Sequence, residues 1–226
     1  MYRRLDAKGI SLTAAQLQRR ISNKFPGSGL SKVAEELVEI ARGADSRAVS
    51  ITAPSKGLRI AVGLGILALL SISLLVLIRY SPDFAAFSFA QFVEILDALI
   101  NIAVLIGGAV FSLVTIENRL QRSRALKAAH ELRAMAHVID MHQLTKHPEH
   151  MDEPAHPEIV PMPSSELTTY LSLCTELLSL IGKLGAFYVQ DFDDELALDA
   201  VNELEDLTTG LSQKMWQKIT IVEQGR

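Results

Sequence analysis

Two long runs of apolar residues interrupt an otherwise mixed sequence. Residues 60–78 and 98–116 are each 19 residues long and contain no ionisable side chain. At 1.5 Å of rise per residue, a helix of that length covers about 28 Å, close to the hydrocarbon thickness of a bilayer. The pattern therefore predicts two transmembrane helices that form a hairpin.

The second helix is expected to continue well beyond its apolar run. Ser88 and Gln91 have the spacing of a capping box, and no helix breaker follows before Pro148. A helix over residues 88–142 would measure roughly 80 Å and would project from the membrane. Its projecting part has an apolar stripe at i, i+3, i+4 spacing, which is typical of helix packing: Ala125, Ala128, Ala129, Leu132, Met135, Ala136 and Ile139.

Three further helices are predicted. A short amphipathic helix runs from Ser31, as N-cap, to about Arg42. Residues 164–188 form a second helix, and a third begins at the acidic cluster that opens at Asp191, because carboxylates favour a helix N-terminus. A Pro- and His-rich loop over residues 146–163 precedes these last two helices. The first 24 residues are basic and leave three interpretations open: a membrane-surface segment, a mitochondrial transit peptide or a solvated tail.

The fold class is therefore an all-α membrane protein, in which a two-span hairpin with a long second helix extends into a cytoplasmic helical bundle. The predicted parts are a cytoplasmic N-terminal region over residues 1–58, the hairpin over 59–117 and the bundle over 118–226. Lys and Arg are concentrated outside the hairpin loop, so both termini are expected in the cytoplasm. The predicted location is the bacterial inner membrane, with the mitochondrial inner membrane as the alternative.

Charge and cysteine content exclude several classes of function. The formal net charge of −4 does not favour a nucleic-acid partner. The single cysteine, Cys174, excludes an internal disulfide and a multi-cysteine metal site. Eight carboxylates and no cation lie between Asp191 and Asp206, whereas residues 119–133 are rich in arginine. Attraction between these two surfaces would dock the last helix on the projecting one.

All six histidines fall between His130 and His156. On a helix, His130, His137 and Asp140 share a stripe, and imidazole with carboxylate suits zinc, iron or manganese. The sequence lacks an HExxH motif, so a polar face is the competing interpretation. These three residues are the candidate ligands for a divalent metal, and no other cofactor is expected.

Small and polar residues within the apolar runs are the candidates for helix packing or for lining a pore. They are Gly65, Asn101, Gly107, Gly108, Ser112 and Thr115.

The function expected from this pattern is non-enzymatic, because no catalytic signature is present. The chain is predicted to be a membrane-anchored assembly or regulatory protein that forms homo-oligomers or binds a cytoplasmic protein through its helices. Two alternatives remain open: a homo-oligomeric ion channel whose second span lines the pore, and a metal-dependent membrane enzyme that uses the histidine cluster.

Overall fold

The computed structural model describes residues 4–79, 89–144 and 162–224. Helices account for 91% of these residues, and this part of the chain contains no β-strand. The predicted all-helical class is therefore confirmed. Within the described ranges seven helices follow one another: α1 (Ala7–Lys24), α2 (Gly29–Arg42), α3 (Ala44–Thr52), α4 (Lys56–Arg79), α5 (Phe89–Leu144), α6 (Ser164–Val189) and α7 (Glu195–Gln224).

The chain divides into two compact units. The bundle unit combines residues 1–52 with residues 122–226, so it contains α1 to α3, the second part of α5, α6 and α7. The apolar unit comprises residues 53–121 and contains α4 and the first part of α5. The N-terminal helices thus belong to the same unit as the C-terminal half of the chain.

α6 is the central helix of the bundle unit. It packs against α1, α2, α3 and α7, and its buried residues lie on all but one face of the helix, which carries the exposed Ser179 and Lys183. A helix that is apolar over most of its circumference must be covered by neighbours, and here the other helices of the bundle provide that cover. Glycines allow α7 to come close, since a Cβ added at Gly185 would lie 2.8 Å from Leu204.

The part of α5 in the bundle unit packs as its sequence predicts. All seven residues of the predicted apolar stripe, from Ala125 to Ile139, are buried in the core. The predicted helix start at Ser88 lies outside the described residues, as does nearly all of the predicted loop over 146–163.

The N-terminal region contains three helices, where the sequence pattern indicated one. Asp6 is the N-cap of α1, and its carboxylate accepts hydrogen bonds from the backbone N–H groups of Lys8 and Gly9. Its buried face packs into the bundle core and consists of Ile10, Ala14, Leu17 and Ile21. This packing does not fit a solvated tail.

The predicted N-cap of α2 is wrong by one turn. Ser28 is the N-cap, and its hydroxyl accepts a hydrogen bond from the backbone N–H of Ser31 at 3.2 Å. Ser31 itself is buried, and its hydroxyl lies 2.8 Å from that of Ser22 on α1. The contact with α1 explains why Ser31 was mistaken for the N-cap. In the sequence alone, a serine that contacts another helix cannot be distinguished from a serine that caps its own helix.

Among the described residues, three helical stretches are long and apolar enough to cross a membrane: Ala44–Val76, Gln91–Gln143 and Ser164–Val189. They differ in burial. In the first two stretches, the most apolar segment has no residue buried within the protein. In the third stretch, 72% of the most apolar segment is buried. Only the first two thus present their apolar side chains outward.

Candidate functional site at the base of the apolar helices

An ion pair joins the start of the first apolar run to the end of the second. Arg59 directly precedes the run over 60–78, and Glu117 directly follows the run over 98–116. The guanidinium of Arg59 donates from Nε to Oε1 of Glu117 at 2.8 Å and from a terminal nitrogen to Oε2, also at 2.8 Å. This two-point contact holds both groups in one plane, as paired Arg and carboxylate groups prefer.

The backbone reinforces this pair. Oε1 of Glu117 also accepts a hydrogen bond from the N–H of Ser55 at 3.1 Å. Ser55 directly precedes α4, so its N–H group has no partner within that helix. The Glu117 carboxylate therefore accepts hydrogen bonds both from the Arg59 guanidinium and from a backbone N–H that has no partner within its own helix. We call Ser55, Arg59 and Glu117 the basal clamp.

Glu117 is unusual in its burial. Among the residues of the apolar unit whose side chains the structure describes, it alone is buried, with 6% of its surface exposed. A buried carboxylate without partners would be costly, and the basal clamp supplies those partners. Sequence reasoning missed the clamp, because an acidic residue at the end of an apolar run does not identify a partner 58 residues away.

The small residues of the apolar runs face open space. Apart from the local backbone of its own helix, a Cβ added at Gly65, Gly107 or Gly108 would have no atom within 4 Å. Asn101 donates a hydrogen bond to Asp97, and Thr115 donates one to the Phe111 carbonyl, so both contacts stay within α5. Ser112 is exposed. One chain therefore does not bring these residues together around a channel, and the pore remains a prediction that requires several copies.

Ion pairs join α5 to α7 within the bundle unit. Arg122 donates from Nε to both carboxylate oxygens of Asp194, at 3.0 and 2.9 Å. Arg133 pairs with Glu203 at 2.5 Å. The expected attraction between the arginine-rich and acidic surfaces is thus confirmed within one chain. The hydrogen bonds from Arg122 hold the pKa of Asp194 below its usual range.

The structure gives a mixed picture of the predicted metal ligands. His130 and His137 are exposed on α5, whereas Asp140 is half-buried and accepts a hydrogen bond from Gln143 at 2.6 Å. No group of three or more His, Cys, Asp or Glu side chains within residues 4–79, 89–144 and 162–224 could hold a metal ion. His147 and His150 lie outside these ranges, so metal binding remains a prediction.

A second polar network lies at the far end of the bundle. The Lys218 ammonium donates to Oε1 of Gln143 at 2.5 Å, and the Gln143 amide in turn donates to Asp140. Gln143 is buried, with 2% of its surface exposed. Burial lowers the pKa of Lys218. This network ties the ends of α5 and α7 together, which is a structural role.

No protein-family model, curated protein or solved structure shows significant similarity to this chain.

Proposed function

We propose that this chain is a membrane-anchored helical assembly protein. Its apolar unit crosses the bilayer as a two-span hairpin, and its bundle unit lies in the cytoplasm, where it forms homo-oligomers or binds a partner protein. The observation that carries the proposal is the basal clamp, in combination with the unburied apolar surface that follows it on both helices.

The unburied surface supports membrane insertion. Large contiguous apolar patches are rare on soluble proteins, because each Å² of apolar surface left in water costs about 25 cal/mol. α4 has no buried residue among those described. Lipid chains would cover this surface without any further protein.

Burial supports two spans rather than three. α6 meets the criteria of length and composition, but 72% of its most apolar segment is already buried within the bundle unit. Moving α6 into lipid would expose the faces of α1, α2, α3 and α7 that it covers. The two unburied stretches remain as the spans.

The basal clamp supports the hairpin arrangement. Two consecutive spans must run in opposite directions if the start of the first lies beside the end of the second. Arg59 and Glu117 are in contact at those two ends, so both runs would enter the bilayer from one side. Lys56 and Arg119 are exposed near the same ends, as expected for the cytoplasmic face.

Reporter fusions test the topology. A phosphatase that is active only outside the cytoplasm is fused either after Arg79 or at the C-terminus, and a fluorescent protein that folds only in the cytoplasm is fused at the same two positions. We expect phosphatase activity only from the fusion after Arg79 and fluorescence only from the C-terminal fusion. The reverse pattern, or fluorescence at both positions, contradicts the hairpin.

A charge exchange tests the basal clamp. Replacing Arg59→Glu alone places two carboxylates together, so we expect lower membrane yield and increased proteolysis. The double exchange Arg59→Glu with Glu117→Arg restores opposite charges and should recover most of the yield. Arg119→Glu, which changes an exposed cation near the same end, serves as the matched control. Equal effects of all three variants would show that the contact does not stabilise the hairpin.

Native mass spectrometry of the solubilised protein tests assembly. A defined oligomer supports the proposal, and a strict monomer without a co-purifying protein contradicts it. Gly65, Gly107 and Gly108 leave room for a neighbouring helix. Ion flux in liposomes that contain the pure oligomer would identify the channel alternative instead.

A further inference from the structure

A groove between α2 and α5 has apolar walls and an acidic rim. It encloses about 430 Å³ and lies within the bundle unit. Val33 and Met135 are its buried apolar residues. Ile40 and Val138 are half-buried and Ala134 is exposed, so the apolar walls are partly open to solvent. A depression of this kind between two helices can accept an apolar side chain from a third helix, as holes accept knobs in packed helices.

Carboxylates give the groove a negative charge. Three of its lining residues are glutamates, namely Glu36 and Glu39 on α2 and Glu131 on α5. Glu131 is paired with Arg47 at 2.5 Å, so its charge is already compensated by the protein. Within the described part of the chain, the exposed Glu36 and Glu39 form no ion pair, and no cation lines the groove. The groove therefore favours a partner that is apolar at one point and cationic around it.

The neighbouring cations do not neutralise this rim. Lys32 lies one turn before Glu36, and Arg42 lies about one turn after Glu39, but neither forms an ion pair with them in the described structure. Arg42 instead lines a different pocket together with residues of α1 and α6. His137 is exposed beside the groove but does not line it. The charge of Glu36 and Glu39 thus remains available to a partner.

The outward face of α1 has the complementary pattern. Leu12 lies opposite the buried face of this helix, and 65% of its surface is exposed. That fraction is the highest among the large apolar side chains of the bundle unit, as far as the structure describes it. Lys8 precedes Leu12 by about one turn and Arg19 follows it by about two turns, so the three residues share one face of the helix.

The two cations of this face are unpaired. Among residues 4–79, 89–144 and 162–224, neither Lys8 nor Arg19 forms an ion pair, and α1 itself contains no acidic residue. Lys8 lines a pocket that also contains Asp45, beyond ion-pairing distance, so Arg19 is the less compensated of the two. Arg20, in contrast, is bound at two points to Glu176 and is not available.

We propose that α1 of a second copy of this chain docks in the α2–α5 groove. Its Leu12 packs against the apolar walls, and its Lys8 and Arg19 lie beside the rim formed by Glu36 and Glu39. This is the helix-in-groove mode of recognition, with charge complementarity to fix the partner. The inference rests on the proposed function, because it names the surface through which the bundle unit forms homo-oligomers.

Cysteine crosslinking tests the contact directly. Two differently tagged full-length copies are coexpressed, one with Leu12→Cys and the other with Ala134→Cys, and their membranes are oxidised with copper phenanthroline. We expect a disulfide-linked dimer that carries both tags. As the control, a copy with Thr209→Cys, an exposed position of α7 outside the groove, replaces the Ala134→Cys copy and should give no such dimer. The native Cys174 is buried, so it should not react.

Charge reversals test the complementarity. Glu36→Lys with Glu39→Lys, on the copy that supplies the groove, should lower the crosslinked fraction about tenfold, because like charges then meet. Lys8→Glu with Arg19→Glu, on the copy that supplies α1, should lower it to a similar extent. Both reversals together restore opposite charges and should recover most of the crosslinked dimer.

A matched control separates this contact from general charge effects. Glu35→Lys with Asp206→Lys changes two exposed carboxylates that do not line the groove, and it should leave the crosslinked fraction unchanged. The proposal is overturned if this control lowers crosslinking as much as the groove reversal does, or if the combined reversals fail to restore it. Circular dichroism checks that each variant is folded.

Two further outcomes overturn the docking mode and identify what replaces it. If native mass spectrometry shows an oligomer but the mixed dimer is absent, this interface is wrong while the proposed function survives; a strict monomer removes both. If a fluorophore on Leu12→Cys reports insertion into phosphatidylglycerol liposomes and no crosslink to Ala134→Cys forms, the outward face of α1 binds the bilayer instead of a second copy.

Discussion

Asp194 links the start of α7 to α5 through one carboxylate. Its Oδ1 accepts a hydrogen bond from the N–H of Ala197 at 3.1 Å, which is the geometry of a helix N-cap. Both of its oxygens also accept hydrogen bonds from Arg122. A single side chain therefore starts a helix of 30 residues and docks it on its neighbour.

Two substitutions separate these roles. Asp194→Ala removes both the cap and the ion pair, so it should lose at least the cap contribution, about 1 kcal/mol. Asp194→Asn keeps a good capping group and loses only the charge, so its loss should be smaller. Equilibrium unfolding of the solubilised protein, followed by circular dichroism, measures both. Asp193→Asn changes an exposed neighbour and should be neutral, and an equal loss in all three variants would contradict this assignment.

Acidification should weaken the same contact. The pKa of Asp194 in the folded protein is lowered, chiefly by the hydrogen bonds from Arg122. Its stabilising contribution is therefore complete above the ordinary aspartate pKa, about 3.9, and is lost as the pH falls through the lower folded value. The unfolding midpoint of the unchanged protein should approach that of Asp194→Asn as the pH falls from 5 to about 2. A constant difference between them over this range would show that Asp194 does not titrate as described.

At the scale of the element, α6 and α7 pack as closely as they do because of glycine. Gly185 faces the buried Leu204, and an added methyl group would lie 2.8 Å from one of its methyl carbons. Gly210, by contrast, has no other atom within 4 Å of the position that a Cβ would occupy. The two glycines thus share one residue type but meet different surroundings.

Matched alanine substitutions should have opposite signs. Gly210→Ala should stabilise the protein by roughly 0.5–1 kcal/mol, because alanine is the better helix former. Gly185→Ala gains the same helical preference but overpacks the core, at a cost of about 1–3 kcal/mol, so the net effect should be a loss of about 1 kcal/mol. Thermal unfolding of the two variants side by side gives the comparison. Stabilisation by both changes would show that the helices can move apart freely.

Sequence patterns identified the helices that have one apolar face and one solvent-exposed face, and the helices whose capping residue is adjacent in the sequence. The stripe on α5 and the extents of α6 and α7 fall into this class. The role of α1 was not evident, because Ile10, Ala14, Leu17 and Ile21 bury their side chains against helices distant in the chain. The cap of α2 was misplaced for the same reason, since Ser31 contacts Ser22 on another helix.

The candidate sites depend even more on distant contacts. Arg59 and Glu117 are conspicuous only once two apolar runs have been placed side by side, and periodicity along one helix carries no such information. In contrast, the attraction between the arginine-rich and acidic segments was predictable, because charge acts over longer distances and needs no exact register.

At the scale of the whole molecule, the bundle unit is assembled from both ends of the chain. Arg124 donates to the Ser50 carbonyl at 2.9 Å, so the two segments that flank the apolar unit meet within the bundle. A flexible linker of about eight Gly and Ser residues, which spans about 15 Å, should therefore join Thr52 to Arg122 in place of residues 53–121.

The shortened protein should be soluble without detergent. Its remaining apolar helix, α6, is covered by the other helices of the bundle, and the exposed apolar runs are gone. Gel filtration and circular dichroism in plain buffer should show a folded helical protein. Removing α7 (Glu195–Gln224) from the linker variant is the control and should give aggregates, because α6 then loses a helix that covers it. Aggregation of the linker variant itself would show that the bundle needs the apolar unit in order to fold.

The division of the bundle between the two ends of the chain also sets the order of its biogenesis. Ribosomes add about 5–20 residues per second, so roughly 6–20 s separate the completion of α3 from the start of α6. During that interval both apolar runs leave the ribosome, while α1 to α3 have not yet met the helix that covers them. If the two runs cross the bilayer as proposed, their insertion precedes closure of the bundle, and a chaperone that protects nascent apolar surfaces would have its greatest effect on the first three helices.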